Sequence, residues 1–168
     1  VFLRANGNRW GILFEEGEAI LSRYPLQDIA FTELEPRPGP FEHRVALEAT
    51  AVTPSGELRV FCTHLTNGDI SVSHGQIGSL SAFVARIGSG PALVAGDFNA
   101  TEDEVNAPAL GWIDSFRAVH PDDPGPTCCI DSLTAGPDEL LEERIDFVFL
   151  VPGPRAARVL RSQRVFNQ

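Results

Sequence analysis

The clearest pattern of apolar and polar positions lies in two neighbouring stretches. His43–Val52 and Glu57–His64 read as a β-hairpin around Thr53-Pro54-Ser55-Gly56. Within the second stretch Leu58, Val60 and Cys62 share one face, opposite Arg59, Phe61 and Thr63. The apolar period then lengthens: Ile77, Leu80, Val84 and Ile87 recur at helical spacing. That stripe predicts an amphipathic helix from Ser73 to Ile87, with Ser73 and Gln76 as a capping box and Gly88-Ser89-Gly90 as its stop. Next, Ala92 to Ala95 run apolar without alternation, as in a strand buried on both faces. Strand, helix and strand in that order predict a layered α/β fold.

The flanking pattern is weaker. Arg9–Phe14 and Ala19–Leu26, separated by Glu15-Glu16-Gly17-Glu18, predict a second hairpin-like pair in which Pro25 ends regular pairing. Gln27–Leu34 predicts a further strand, and Pro36-Arg37-Pro38-Gly39-Pro40 a turn-rich connector. Thr101–Leu110 is acidic, with room for one helical turn, and Trp112–Phe116 predicts a short packed element. Arg144–Val151 predicts a strand carrying one internal charge, Asp146, and Arg158–Phe166 a last strand.

Composition narrows the options. A chain of 168 residues that is 43% hydrophobic predicts one domain, residues 1–168, with its own core. Its net charge of -10 argues against a surface that holds nucleic acid by its phosphates alone. All 13 basic residues are Arg, which reads as a bias of the source. The chain contains no Met and opens on the strand-like Val1-Phe2-Leu3, so it is expected to be an internal piece of a longer protein. A bacterial source is expected, and the compartment, cytoplasmic or secreted, stays open. No apolar run reaches membrane-spanning length. Cys62, Cys128 and Cys129 suggest neither a disulfide framework nor a structural zinc site, and Cys128 and Cys129 read as buried thiols.

The candidate chemistry begins in Gly96-Asp97-Phe98-Asn99-Ala100. Side chains two apart on an extended chain share a face, so a carboxylate and a carboxamide leave the strand end together. The carboxylate takes a hard cation or a proton, and the carboxamide donates to an anionic oxygen. The same D-x-N sequence also makes an Asx turn. His64 closes Thr63-His64-Leu65 at the end of another strand, and Asp146 lies in Arg144-Ile145-Asp146-Phe147-Val148-Phe149. His64 also suits a capped strand end, and Asp146 an ion pair with Arg144 or a bond to a local backbone group. His43, His74 and His120 read as surface residues, and Glu15, Glu16 and Glu18 as solvated turn residues.

The order Gly17-Glu18-Ala19-Ile20-Leu21-Ser22-Arg23-Tyr24-Pro25, then T-H-L at 63–65, G-D-F-N-A at 96–100 and R-I-D-F-V-F at 144–149 resembles the endonuclease/exonuclease/phosphatase superfamily. The resemblance implies an α/β fold, a four-layer α-β-β-α sandwich of two mixed sheets with its N-terminal part missing. It implies that Asp97 positions or deprotonates a water, that Asn99 holds the scissile phosphate, and that His64 contacts the phosphate or protonates the leaving group. Asp146 matches the acid that orients a second histidine. The family's metal-binding Glu strand would precede Val1 and its Ser-Asp-His would follow Gln168. The resulting expectation is a phosphoester hydrolase using Mg²⁺ or Mn²⁺, with Asp97 as a weak metal ligand and the fragment inactive alone. Acidic charge and the T-H-L histidine favour a small-molecule or lipid-headgroup phosphodiester over nucleic acid. A nuclease and a non-catalytic binding domain of the same fold are the other readings.

Overall fold

A computed structural model of the chain describes residues 1–6, 16–88, 90–129 and 141–165. Its centre is a mixed sheet of six strands in the order β3-β4-β5-β6-β8-β7. These strands are β3 (Leu26–Glu33), β4 (Val45–Thr53), β5 (Gly56–His64), β6 (Ala92–Asp97), β7 (Ile113–Asp114) and β8 (Asp146–Val151). Two further strands, β1 (Phe2–Asn6) and β2 (Glu16–Ala19), pair antiparallel as a separate sheet. The expected partner Arg9–Phe14 lies outside the described residues.

The hairpin forms as its alternation predicts. β4 and β5 pair in register from Ala46↔Thr63 to Thr53↔Gly56. Phe61 and Thr63 face the buried side, whereas every residue of β4 from Val45 to Ala51 is buried, because both faces of that strand are covered. One cover is helix α1 (Ile70–Ile87), whose Ile77, Leu80, Phe83 and Val84 join Phe61, Val94, Phe147 and Phe149 in the main core. Phe83 meets Phe61 edge to face at 5.6 Å. The other cover is β2 with the residue after it: Ile20 clusters with Leu47 and Ala49 against Val60 and Cys62. Thus a helix, a six-stranded sheet and a two-stranded sheet form successive layers. The second sheet of the expected sandwich is represented, among the described residues, by β1 and β2.

Helix α1 begins three residues earlier than its apolar stripe indicates. Asp69, not Ser73, is the N-cap: its carboxylate accepts from the Ser71 and Val72 amides. Ser73 and Gln76 are fully buried inside the helix. The acidic stretch does contain one helical turn, α2 (Glu102–Val105), closed by a Thr101–Glu104 capping box and followed by a 3₁₀ turn over Ala107–Leu110. Two strand expectations fail. Ala19–Leu26 splits into the end of β2, an irregular run through Pro25, and the start of β3. Residues 158–165 form no strand; they lie against the loops around Ser115 and His120 through side-chain and carbonyl bonds.

Strand register places the chemistry. β5 and β6 run parallel with His64 beside Asp97, and β6 and β8 run antiparallel with Asp97 beside Asp146. Gly96 makes the first of these pairings possible, because a Cβ at that position would enter the Thr63 carbonyl. No other residue fits between β5 and β6 there.

Candidate active site

Three adjacent strands deliver His64, Asp97 and Asp146 as a row on one side of the sheet. The His64 Nε2 lies 3.7 Å from Asp97 Oδ2, and its Nδ1 lies 3.8 Å from Glu16 Oε1. These are charge neighbours rather than hydrogen bonds. The strand ends are held by the backbone: the Leu65 amide donates to the Asp97 carbonyl at 2.9 Å, and the Phe98 amide to the Ile145 carbonyl at 2.8 Å.

The Asx turn and the site geometry coexist. Asp97 Oδ1 accepts the Asn99 amide at 2.8 Å, and Asn99 takes a left-handed φ of 46°. This turn leaves Asp97 Oδ2 as the oxygen that faces His64. The Asn99 side chain goes elsewhere, its Nδ2 donating to the Leu65 carbonyl at 2.9 Å. Asp97 and Asp146 line one cavity of about 580 Å³, together with Thr127, Arg144, Phe147 and Arg164. Asn99 lines a separate one of about 310 Å³. Asp97, Asp146 and His64 are therefore gathered, while Asn99 shapes the neighbouring loop.

Asp146 does not pair with Arg144. That guanidinium, buried against the Phe147 ring, donates to Asp114 at 2.7 Å and to Glu102 at 2.6 Å. Burial raises the Asp146 carboxyl above its usual range, and the nearby Asp97 adds to this; the Thr127 hydroxyl bond and His64 pull it back. Asp146 is exposed as a residue, so the partial burial of its carboxyl and the neighbouring acid set a direction only: it holds a proton more readily than an isolated aspartate.

Several residues read as bystanders belong near this row. Glu18 is half-buried and accepts the Cys62 thiol at 3.0 Å, and burial raises its carboxyl while driving the Cys62 thiol up to about 12. Glu16 lies beside both His64 and Arg44. Neither is the solvated turn residue expected, because β2 turns them onto β4 and β5; Glu15 lies outside the described residues. Gln76 is no cap. Its Oε1 accepts the Thr66 amide at 2.9 Å, and its Nε2 donates to the Thr66 hydroxyl and the Pro36 carbonyl, fixing the loop after His64. A glutamine on the apolar flank of a helical stripe was the available signal. His74 is exposed as expected, whereas His43 pairs with Glu33 and His120 is half-buried on Phe116 with its Nε2 bonded to the Ser162 carbonyl. Cys128 and Cys129 form a disulfide with each other, and Cys129 is exposed.

The carboxylates suit a hard cation by type. By arrangement they do not: among the described residues no group of three or more His, Cys, Asp or Glu converges as a metal site. Asp97 also commits one oxygen to the Asn99 amide.

No protein-family model matches the chain, and no curated protein sequence matches it. Solved structures do. An endonuclease/exonuclease/phosphatase from Beutenbergia cavernae aligns with a TM-score of 0.70 at 22% identity, over 90% of this chain and 46% of that one. The chain has the endonuclease/exonuclease/phosphatase fold. Truncated TDP2 from Caenorhabditis elegans shares this fold at a TM-score of 0.65 and 15% identity, over 92% of this chain and 62% of that one. A mannosyl-6-phosphatase from Bacteroides thetaiotaomicron shares it at 0.58 and 16%, over 76% and 53%. The chain thus spans roughly half the length of the endonuclease/exonuclease/phosphatase structures it matches. Among its described residues no helix is long and apolar enough to cross a membrane.

Proposed function

We propose that this chain is part of a single phosphoester-hydrolase domain, a phosphodiesterase acting on a small-molecule or lipid-headgroup substrate. The observation that carries the reading is the row of His64, Asp97 and Asp146 on three neighbouring strands. Hydrolysis of a phosphodiester needs a water aligned by a base, donors on the phosphoryl oxygens, and a proton for the leaving oxygen. Asp97 Oδ2 is the base that aligns the water, since Oδ1 is held by the Asn99 amide. His64 donates to a phosphoryl oxygen or to the leaving group, with Glu16 on its far side. Asn99 meets a phosphoryl oxygen by exchanging its bond to the Leu65 carbonyl. Asp146, raised by burial, supports from beside Asp97. A divalent cation, Mg²⁺ or Mn²⁺, would need ligands beyond Asp97, and would supply charge neutralisation at the phosphoryl oxygens. The net charge of -10 favours a small or headgroup substrate over a polyanion.

The test is hydrolysis of bis-p-nitrophenyl phosphate, a phosphocholine ester and supercoiled DNA by the complete protein with Mg²⁺ or Mn²⁺. Asp97→Asn is expected to lower kcat at least about a hundredfold, the scale of a lost base, with KM little changed. Turnover of the variant within threefold of wild type overturns the role of Asp97. Cleavage of DNA alone replaces the substrate class with nucleic acid.

A further inference from the structure

Thr127 makes an unusual set of bonds for a loop threonine. Its Oγ1 accepts the Ile145 amide at 3.2 Å and the Asp146 amide at 3.1 Å. The same hydroxyl holds the Asp146 carboxyl down against the rise from burial. A hydroxyl has two lone pairs and one proton. With both lone pairs taken by N–H groups, its proton is the part left to face a neighbouring acceptor. Thr127 is itself anchored, because its amide donates to the Glu143 carbonyl at 2.7 Å and the Cys128 amide to the same oxygen at 2.8 Å. The 143–146 segment is therefore clamped on one side by residues 127–128 and on the other by the Phe98 amide on the Ile145 carbonyl.

Among the described residues no ion pair ties a cation to Asp146. Arg144, the near guanidinium, is committed to Asp114 and Glu102. Asp146 has another carboxylate, Asp97, as its neighbour across the sheet. Without a fixed donor the two acids would turn apart to lower their repulsion. We propose that Thr127 is the positioning residue for Asp146: it fixes the start of β8 and aims the Asp146 carboxylate into the cavity shared with Asp97. The proposal rests on the reading of this row as the reactive site, and assigns a duty to a loop residue outside the row.

The experiment compares Thr127→Val, which keeps the shape and removes the hydroxyl, with Thr127→Ser, which keeps the hydroxyl. Two readouts are taken: amide hydrogen exchange at Ile145 and Asp146 by NMR, and the division of any kinetic loss between kcat and KM on bis-p-nitrophenyl phosphate. The valine variant is expected to exchange at both amides at least about tenfold faster, the loss of one net hydrogen bond. It should lower kcat about tenfold with KM within twofold. The serine variant should stay within threefold of wild type on both readouts. Unchanged exchange in Thr127→Val overturns the proposal, as does an equal fall in kcat for valine and serine. If the valine variant does not fold, Thr127→Ala against Thr127→Ser decides it by the same readouts. Exchange at the two amides judges Thr127 even if the wild type hydrolyses no phosphoester, in which case the functional reading fails by itself.

Discussion

Replacing Gln76 by Leu tests whether the loop after His64 is held by one buried amide. The two side chains have similar volumes, so the cavity contribution is small. The lost contacts are specific: Thr66 N–H to Oε1 at 2.9 Å, and Nε2 to the Thr66 hydroxyl at 2.9 Å and the Pro36 carbonyl at 3.0 Å. Thr66 is only 4% exposed, so its amide finds no water in exchange. A buried donor left unpaired costs about 1–3 kcal/mol, and the orphaned Pro36 carbonyl adds about 1 kcal/mol. The more apolar leucine returns about 1 kcal/mol of that. The expected net loss is about 1–3 kcal/mol, a large share of the roughly 5–15 kcal/mol typical of a domain. Urea unfolding followed by circular dichroism should show the midpoint falling by about 0.5–1.5 M at an unchanged slope of about 2 kcal/mol/M. A midpoint within about 0.2 M of wild type would mean that water replaces the amide without cost, and that Gln76 does not hold the loop.

Gly96→Ala should destabilise by at least about 2 kcal/mol, because the new methyl enters the Thr63 carbonyl and forces β5 from β6; a thermal midpoint matching wild type would show that the strands part freely. Glu102 has its carboxyl held down at about 2 by hydrogen bonds from Arg117 first and Arg144 after, against an ordinary 4.5. Its folded value is the lower one, so its stabilisation is complete above about 4.5 and disappears as pH falls towards about 2. The urea-midpoint gap between wild type and Glu102→Gln should accordingly close across that window, and a pH-independent gap contradicts it. His64→Ala should slow a substrate with an alkoxide leaving group more than a p-nitrophenyl ester, whose leaving group needs no proton; equal losses on the two remove His64 as the proton donor.

The central strands were legible because each carries one period over its length. β5 alternates, β6 is continuously apolar, and α1 repeats its stripe every three or four residues, so local pattern and tertiary burial agree. The start of α1 was not, since Asp69 and Ser73 are both good caps and the choice is made by burial of Ser73 and Gln76 against the loop at Thr66. His64 and Asp97 were legible as strand-end residues. Their adjacency was not, because register is a property of pairing between distant segments. The placement of Glu18 against Cys62 follows from β2 folding onto β4 and β5, which no local spacing encodes. The failed strand at 158–165 shows the converse: Val159, Leu160 and Val165 suit a strand, yet the segment pairs with no described strand, and its bonds go to the 115–127 loops instead.

The central sheet also sets an order of assembly. β4, β5, α1 and β6 follow one another along the chain and pair with near neighbours, so His64 and Asp97 come together through short-range closure. Asp146 arrives by antiparallel pairing of β8, which is made much later and slots between β6 and β7. During synthesis on the ribosome β6 is therefore a bare edge, with the Gly96–Asp97 end open to any passing strand. Release of residues 146–151 seals that edge and completes the row of ionisable groups in one event. A chain stalled before this point presents an adhesive border and half a site; a chain past it presents neither.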